Sequence, residues 1–328
     1  MSWGIQLLAT NYPTFDRQEL ELLPLSERQS DLDLSVILPL EGTSYKNESL
    51  SDVARRIVKA KRHGSPTILM MGAHVIRRGV QRYLIDMMKK GYISCIATNG
   101  AGVIHDFEFA SMGATTESVA RYIENGHFGF WEELARINDI ISDAEKTGIG
   151  LGESVGAAIE KEDFPYKNIS VLAAGYRLSI PITVHVGIGY DIVYQLPNCN
   201  GGAYGATSYT DFLVFAQVLN SLEGGVLMNF GSSVMAPEIF LKALSMVRNK
   251  SRQKNTRISR FTTLVCDLIH LPDNWSREAP KDSGFYYYRP WKTMLVRTVK
   301  NGGESYYVRG DHRDTIPCLW SEINELDS

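Results

Sequence analysis

TILMMGAHVIRRGVQRYLIDMMKKGYISCIATNGAG, residues 67–102, is the stretch on which the fold turns. The apolar run 67–71 enters Gly72-Ala73-His74, and a helix is predicted over 75–90 from the spacing of Val80, Leu84, Ile85 and Met88. Gly91 closes it, YISCIAT (92–98) forms a second apolar strand, and NGAG (99–102) reads as a loop. Strand, loop, helix, strand, loop is the signature of a parallel sheet with crossover helices.

The pattern repeats outward from there. Helices are predicted over 118–141 (with a break at Asn125-Gly126), 151–161, 169–178, 212–222, 237–247 and 315–326. Strands are predicted at 180–189, which enters a glycine loop, at 224–233 and 261–269, and late in the chain at 292–298 and 305–309. Upstream, Ser51 and Asp52 are candidate caps for a helix ended by Gly64-Ser65-Pro66. Residues 1–50 are polar with short apolar runs such as Val36-Ile37-Leu38, which predicts an irregular N-terminal arm with one strand, clasping the main domain or a neighbouring subunit. The expected organisation is that arm plus a single α/β domain over 51–328, doubly wound around a mostly parallel sheet.

Composition narrows the function. The 328 residues are 44% hydrophobic and 22% charged, the balance of a globular protein. With 34 Lys and Arg against 37 Asp and Glu, the net charge of −3 gives no global field to draw in nucleic acid or an anionic membrane. No apolar run reaches the length of a transmembrane helix, and the N-terminal stretch lacks the pattern of a signal peptide. Cys95, Cys199, Cys266 and Cys318 lie far apart without metal-ligand spacing. They read as reduced thiols, so a cytoplasmic protein with no metal is expected.

Ligands of open parallel sheets bind beyond the carboxyl ends of the strands. That singles out the loops at 72–74, 99–106, 187–191, 231–233 and 310–314. In the second of these, Asn99, Gly100, Ala101 and Gly102 offer backbone N–H groups to a phosphate, or form only a tight turn. No full dinucleotide fingerprint or P-loop is present. His105, Asp106 and Glu108 are the densest ionisable cluster beside such a loop: His105 can exchange protons and Asp106 can orient it or hold a ribose, or the trio caps a helix. His185 sits in an apolar strand, as a core histidine does, and Asp191 beyond it is the better ligand candidate. Gly231, Ser232 and Ser233 offer further donors to an anion, although the nucleophile-elbow pattern is absent. Asp311 lies in RGDHRD, and Lys292, after Trp291, is either an imine-forming lysine or merely exposed.

Taken in order, MMGAHVIRRG, ATNGAG, GxxHDFE, IPITVHVGIGYDI, GSSVMAPEIF and VRGDHRDTIP resemble the deoxyhypusine synthase family, and more closely deoxyhypusine-synthase-like proteins of unassigned activity. The resemblance implies an NAD-binding α/β fold of Rossmann type and a homo-oligomer, tetramer or dimer, with sites at subunit interfaces. It implies that Gly72, 99–102, Asp191, 231–233 and Asp311 approach NAD or NADP, and that Lys292 matches the lysine on which the synthases carry an imine. Where those enzymes place amine-recognising histidines, this chain has Met235-Ala236-Pro237-Glu238. The Trp-Gly-Lys order at Lys292 is also absent. The expectation is therefore an NAD(P)-dependent enzyme acting on a small amine or amino acid through an imine, not deoxyhypusine synthesis. Its catalytic candidates are His105, Asp106, Glu108, His185 and Lys292. Two alternatives remain: a hydrolase using His105 as base, and a nucleotide-binding regulatory protein without catalysis.

Overall fold

The computed structural model describes residues 10–327. The first nine residues of the expected arm lie outside it.

Its strands are β1 Ser30–Asp33, β2 Thr67–Met71, β3 Cys95–Thr98, β4 Ala114–Glu117, β5 Ile182–Val184, β6 Val226–Phe230, β7 Thr262–Asp267 and β8 Glu304–Arg309. β1 and β4 form a small antiparallel pair. The other six form one sheet in the order β5-β3-β2-β6-β7-β8, every pairing parallel. Counted along the chain this is 3-2-1-4-5-6, the doubly wound Rossmann order.

Alternation along the strands explains the two layers. Leu69, Met71, Ile96, Met228 and Leu264 pack on one face, while Ile68, Met70, Ala97, Leu227 and Val265 pack on the other. Side chains two apart share a face of a strand, so each central strand feeds two cores at once. The first core holds α1 Glu48–His63, α2 His74–Arg77, α3 Gln81–Lys89 and α4 Gly100–Met112. After the outer helix α5 Val119–Glu124, it also takes α6 Ala135–Thr147, α7 Leu151–Lys161 and α8 Val171–Leu178. α9 Gly201–Leu219 spans both, with Ala203 and Tyr204 in the first and Phe215 and Leu219 in the second; α10 Met235–Gln253 packs in the second, and α11 His312–Leu326 returns to the first.

Several expected elements are revised. The helix predicted over 75–90 is split into α2 and α3 at Gly79, whose φ is +74° and whose absent β-carbon would lie 1.9 Å from the Val36 carbonyl oxygen. The arm docks into that gap, where Leu38 N–H donates to the Gly79 carbonyl at 2.8 Å. The arm's strand is Ser30–Asp33, and Val36 falls in a 3-10 turn. The break expected at Asn125-Gly126 is present but longer than one turn, with α5 ending at Glu124 and the chain resuming through a 3-10 turn at Glu132–Leu134 into α6. The predicted strand at 180–189 keeps three residues, because its partner β3 ends at Thr98, where Asn99 caps α4; on its outer edge the Asp211 carboxylate takes the Val184 N–H at 2.7 Å. α9 starts eleven residues before the predicted helix at 212, capped by Asn200, through a stretch whose glycines mask the helical signal. The apolar run at 292–298 is not a strand: it lies in a π-helical segment, Pro290–Arg297, packed beneath β7 by a Thr263 hydroxyl bond to the Met294 carbonyl. A short apolar run reads alike in either conformation.

Candidate functional site

The loops leaving β2 and β6 meet at the point where the chain's winding reverses. Gly72 N–H donates to the Phe230 carbonyl at 3.0 Å, and a β-carbon on Gly72 would come within 2.5 Å of the Gly231 carbonyl oxygen. Gly231 has φ +65°, and a side chain there would strike the His312 imidazole. Both glycines are thus required by the packing of the two loops on each other and on His312. Around this contact opens a cleft of about 660 Å³, bordered by Gly72, Asn99, Gly100, His185, Asp191, Gly231, Ser232 and Ser233. That volume lies within the roughly 300–1,000 Å³ of small-molecule sites. A cleft of this size at the switch point is what an extended dinucleotide requires, and its lining fits such a group.

NGAG is not a free loop but a helix start. Asn99 caps α4 by accepting the Gly102 N–H at 3.1 Å. The Asp191 carboxylate lies against Gly100 and accepts the Ala101 N–H, so a carboxylate, not a phosphate, occupies this helix N-terminus. Burial pushes the Asp191 carboxyl up to about 6, against the pull of His105 and the Ala101 N–H. The N-terminus of α10 also borders the cleft: there Ser232 Oγ accepts the Ala236 N–H at 3.0 Å, Ser233 is exposed, and Glu238 of the first turn lines the same space. Gly102 packs against Thr98 inside α4 and does not border the cleft.

His105 and Ala101 border a second pocket, of about 250 Å³, that shares Tyr190 and Asp191 with the cleft. His105 Nδ1 lies 2.7 Å from the Thr115 hydroxyl, which in turn bonds Glu108. Glu108 is buried and pairs with Arg28 from the N-terminal arm. Burial pushes its carboxyl up, but the contacts to His105 and Arg28 outweigh this and hold it below the usual range. Glu117, on the same wall, accepts from Gly129 N–H and Trp131 Nε1. Between them Thr116 holds φ +68°, a left-handed conformation that a β-branched residue seldom takes.

The remaining candidates have other work. Asp106 points away from both pockets and accepts from Ser170 Oγ (2.5 Å), Val171 N–H (2.8 Å) and Leu172 N–H (3.1 Å), capping α8. His185 borders the cleft, but burial pushes it down to about 3, so it is neutral and contacts Thr183 Oγ at 3.0 Å. Asp311 caps α11 and takes the Arg78 guanidinium at 2.9 Å. Lys292 holds its ammonium 3.4 Å from the centre of the Tyr286 ring and is not among the residues bordering the cleft. Sequence reading missed Arg28, Thr115, Glu117 and Tyr190. Arg28 stands 80 positions from its partner in a segment without regular pattern, and nothing local marks it.

Known proteins match this chain at the level of its fold. The family described as arginine dihydrolase ArgZ-like, C-terminal, Rossmann fold matches residues 51–163, roughly a third of the chain. No curated protein matches. Among solved structures, a conserved putative LOR/SDH protein from Methanococcus maripaludis S2 superimposes with a TM-score of 0.50 at 16% identity, over 89% of this chain and 74% of that one. ArgZ, an arginine dihydrolase of the ornithine–ammonia cycle in cyanobacteria, gives 0.47 at 15% identity, over 84% of this chain and 32% of its own. A putative deoxyhypusine synthase from Entamoeba histolytica gives 0.45 at 10% identity, over 87% and 90%. The chain spans about a third of the length of ArgZ. The resemblance read from the motifs thus stands as a shared Rossmann-type fold, not as membership among deoxyhypusine synthases. Among the described residues no helix is long and apolar enough to cross a membrane.

Proposed function

We propose that the protein is an NAD(P)-dependent enzyme acting on a small amine or amino acid through an imine. The observation that carries this reading is the contact of the two glycine loops at the switch point, Gly72 against Gly231, with Asp191 and Ser233 opening from it. Gly72, Gly231 and the exposed Ser233 would hold the dinucleotide. When bound, such a cofactor supplies a two-electron hydride acceptor.

The chain's own residues do the rest. Asp191, shared by both pockets, holds the substrate nitrogen, and His105 takes its proton. The Tyr190 ring borders both spaces. In this reading the imine forms on the substrate and not on Lys292, whose ammonium rests on Tyr286. Assembly as a homo-oligomer belongs to the same proposal, supported by the exposed apolar side chains Tyr209, Leu213, Leu241 and Met246 on α9 and α10.

Titration calorimetry and thermal shift with NAD+ and NADP+ test the cofactor. Binding of one of them is expected, and the absence of both heat and shift at millimolar cofactor rejects the reading. AgrE has been crystallised in a ternary complex with ornithine and NAD+, so ornithine is a practical first substrate. Cofactor binding without turnover of ornithine or a panel of primary amines would favour a regulatory role.

A further inference from the structure

The second pocket contains a chain of contacts that the cofactor reading does not need. Its members come from three separate places: Arg28 from the arm, His105 and Glu108 from α4, and Thr115 from β4. Three of the four, Arg28, Glu108 and Thr115, are buried. Arg28 and Glu108 also line the pocket, but with 1% of each side chain exposed against 17% for His105, His105 is the member open to a ligand.

Proton bookkeeping along this chain has one solution. Glu108 faces a guanidinium that cannot give up its proton, so it is a carboxylate and only accepts. The Thr115 hydroxyl has a single proton, and the only use for it is donation to Glu108. Its lone pair must then accept, and the atom 2.7 Å away is His105 Nδ1. Nδ1 therefore carries the hydrogen. In the neutral ring the lone pair lies on Nε2, which makes no protein hydrogen bond among the described residues.

We infer that Arg28, Glu108 and Thr115 are positioning residues that lock His105 in the Nδ1–H tautomer and present its Nε2 lone pair to the pocket as a base. The pocket that His105 borders has Asp191 on its wall, and a substrate ammonium would sit between the two; this part rests on the proposed function. In the step, the N–H bond of the ammonium breaks, its proton goes to Nε2, and the electron pair stays on the substrate nitrogen. His105 becomes an imidazolium, whose Nδ1–H still points at Thr115 and whose charge the nearby Glu108 carboxylate, 3.9 Å from Nδ1, opposes. An amine must lose that proton before its carbon can give up a hydride, because the nitrogen lone pair is what stabilises the resulting iminium.

The test needs neither cofactor nor substrate. In protein with 15N-labelled histidine, long-range proton–nitrogen spectra report which ring nitrogen bears hydrogen, and His105 is assigned by the signal lost in His105→Gln. The expected wild-type result, at a pH where the ring is neutral, is the Nδ1–H form. Thr115→Val should shift His105 to the Nε2–H form that a free imidazole prefers, and Thr115→Ser should restore Nδ1–H. An Nε2–H signal in the wild type, or a tautomer unmoved by Thr115→Val, overturns the inference. The wild-type spectrum decides even if the valine variant does not fold. A protein that binds no dinucleotide still gives this spectrum, so the two proposals fail separately.

Discussion

Gly72 and Gly231 touch across the switch point so closely that a single methyl on the first would overlap the carbonyl of the second, at 2.5 Å. The first prediction follows from that contact. Gly72→Ala must part β2 and β6 at their carboxyl ends, where Gly72 N–H bonds the Phe230 carbonyl at 3.0 Å. Overpacking of this kind costs about 1–3 kcal/mol. Urea unfolding should register that loss, and calorimetry should show dinucleotide affinity reduced at least tenfold. Undiminished affinity would mean that the ligand does not use this crevice.

Arg28 and Glu108 are each almost wholly buried, with 1% of either side chain exposed. Arg28→Met leaves an uncompensated carboxylate in the interior, and breaking such a pair costs about 3–5 kcal/mol. Adding Glu108→Gln should recover most of the loss, since the charge is then gone from both sides. Equal chemical-denaturation midpoints for the single and double variants would contradict this.

Asp106 is the residue whose sequence context misleads most. Beside His105 it looks catalytic, yet one helical position rotates it by about a hundred degrees, toward the start of α8. Asp106→Ala should cost about 2 kcal/mol by freeing the Val171 and Leu172 N–H groups and Ser170 Oγ. In folded protein at low temperature, turnover should stay within a few-fold of wild type. A loss of turnover by orders of magnitude with stability intact would restore Asp106 to the chemistry.

The parts legible in sequence are those with local causes. The parallel sheet follows from apolar runs alternating with helical repeats, and the loops at strand ends follow with it, which is why Gly72, Asp191, Gly231 and Ser233 border one cleft. Which way a side chain points is set by tertiary packing, and Lys292 illustrates the failure. Its apolar neighbours suit a strand, but the connection from β7 to β8 coils into a π-helical segment that lays the ammonium on Tyr286. Arg28 could not be found at all, because its meaning depends on how a patternless arm folds back onto α4.

Two buried histidines give the protein an acid limb. Burial pushes His185 down to about 3 and His312 down to about 4. In the unfolded chain both take up protons near pH 6.5. The unfolded state therefore binds more protons between that pH and the folded values, and the stabilising contribution, complete above pH 6.5, is lost as pH falls. Each histidine contributes a slope of about 1.4 kcal/mol per pH unit in this window. Unfolding curves from pH 7 to 4.5 should show His185→Phe flattening the decline by one such slope, whereas a parallel curve would show that His185 charges as readily in the folded state.

Asp211 has the opposite sign. Its carboxylate serves the backbone, accepting Gly152 N–H at 2.9 Å and Val184 N–H at 2.7 Å, and no cation pairs with it among the described residues. Burial raises it to about 7, beyond the lowering effect of those two bonds. The folded state therefore holds a proton that the unfolded chain releases near pH 4. The resulting stabilisation is complete below that value and is lost as pH rises through about 7. Asp211→Asn keeps an oxygen for both N–H groups and removes the charge. It should stabilise the protein by up to about 4 kcal/mol at pH 8, an advantage that disappears near pH 4. Denaturation at both pH values measures it. An asparagine variant weaker than wild type at pH 8 would mean that the ionised carboxylate is worth more to the edge of β5 than its burial costs.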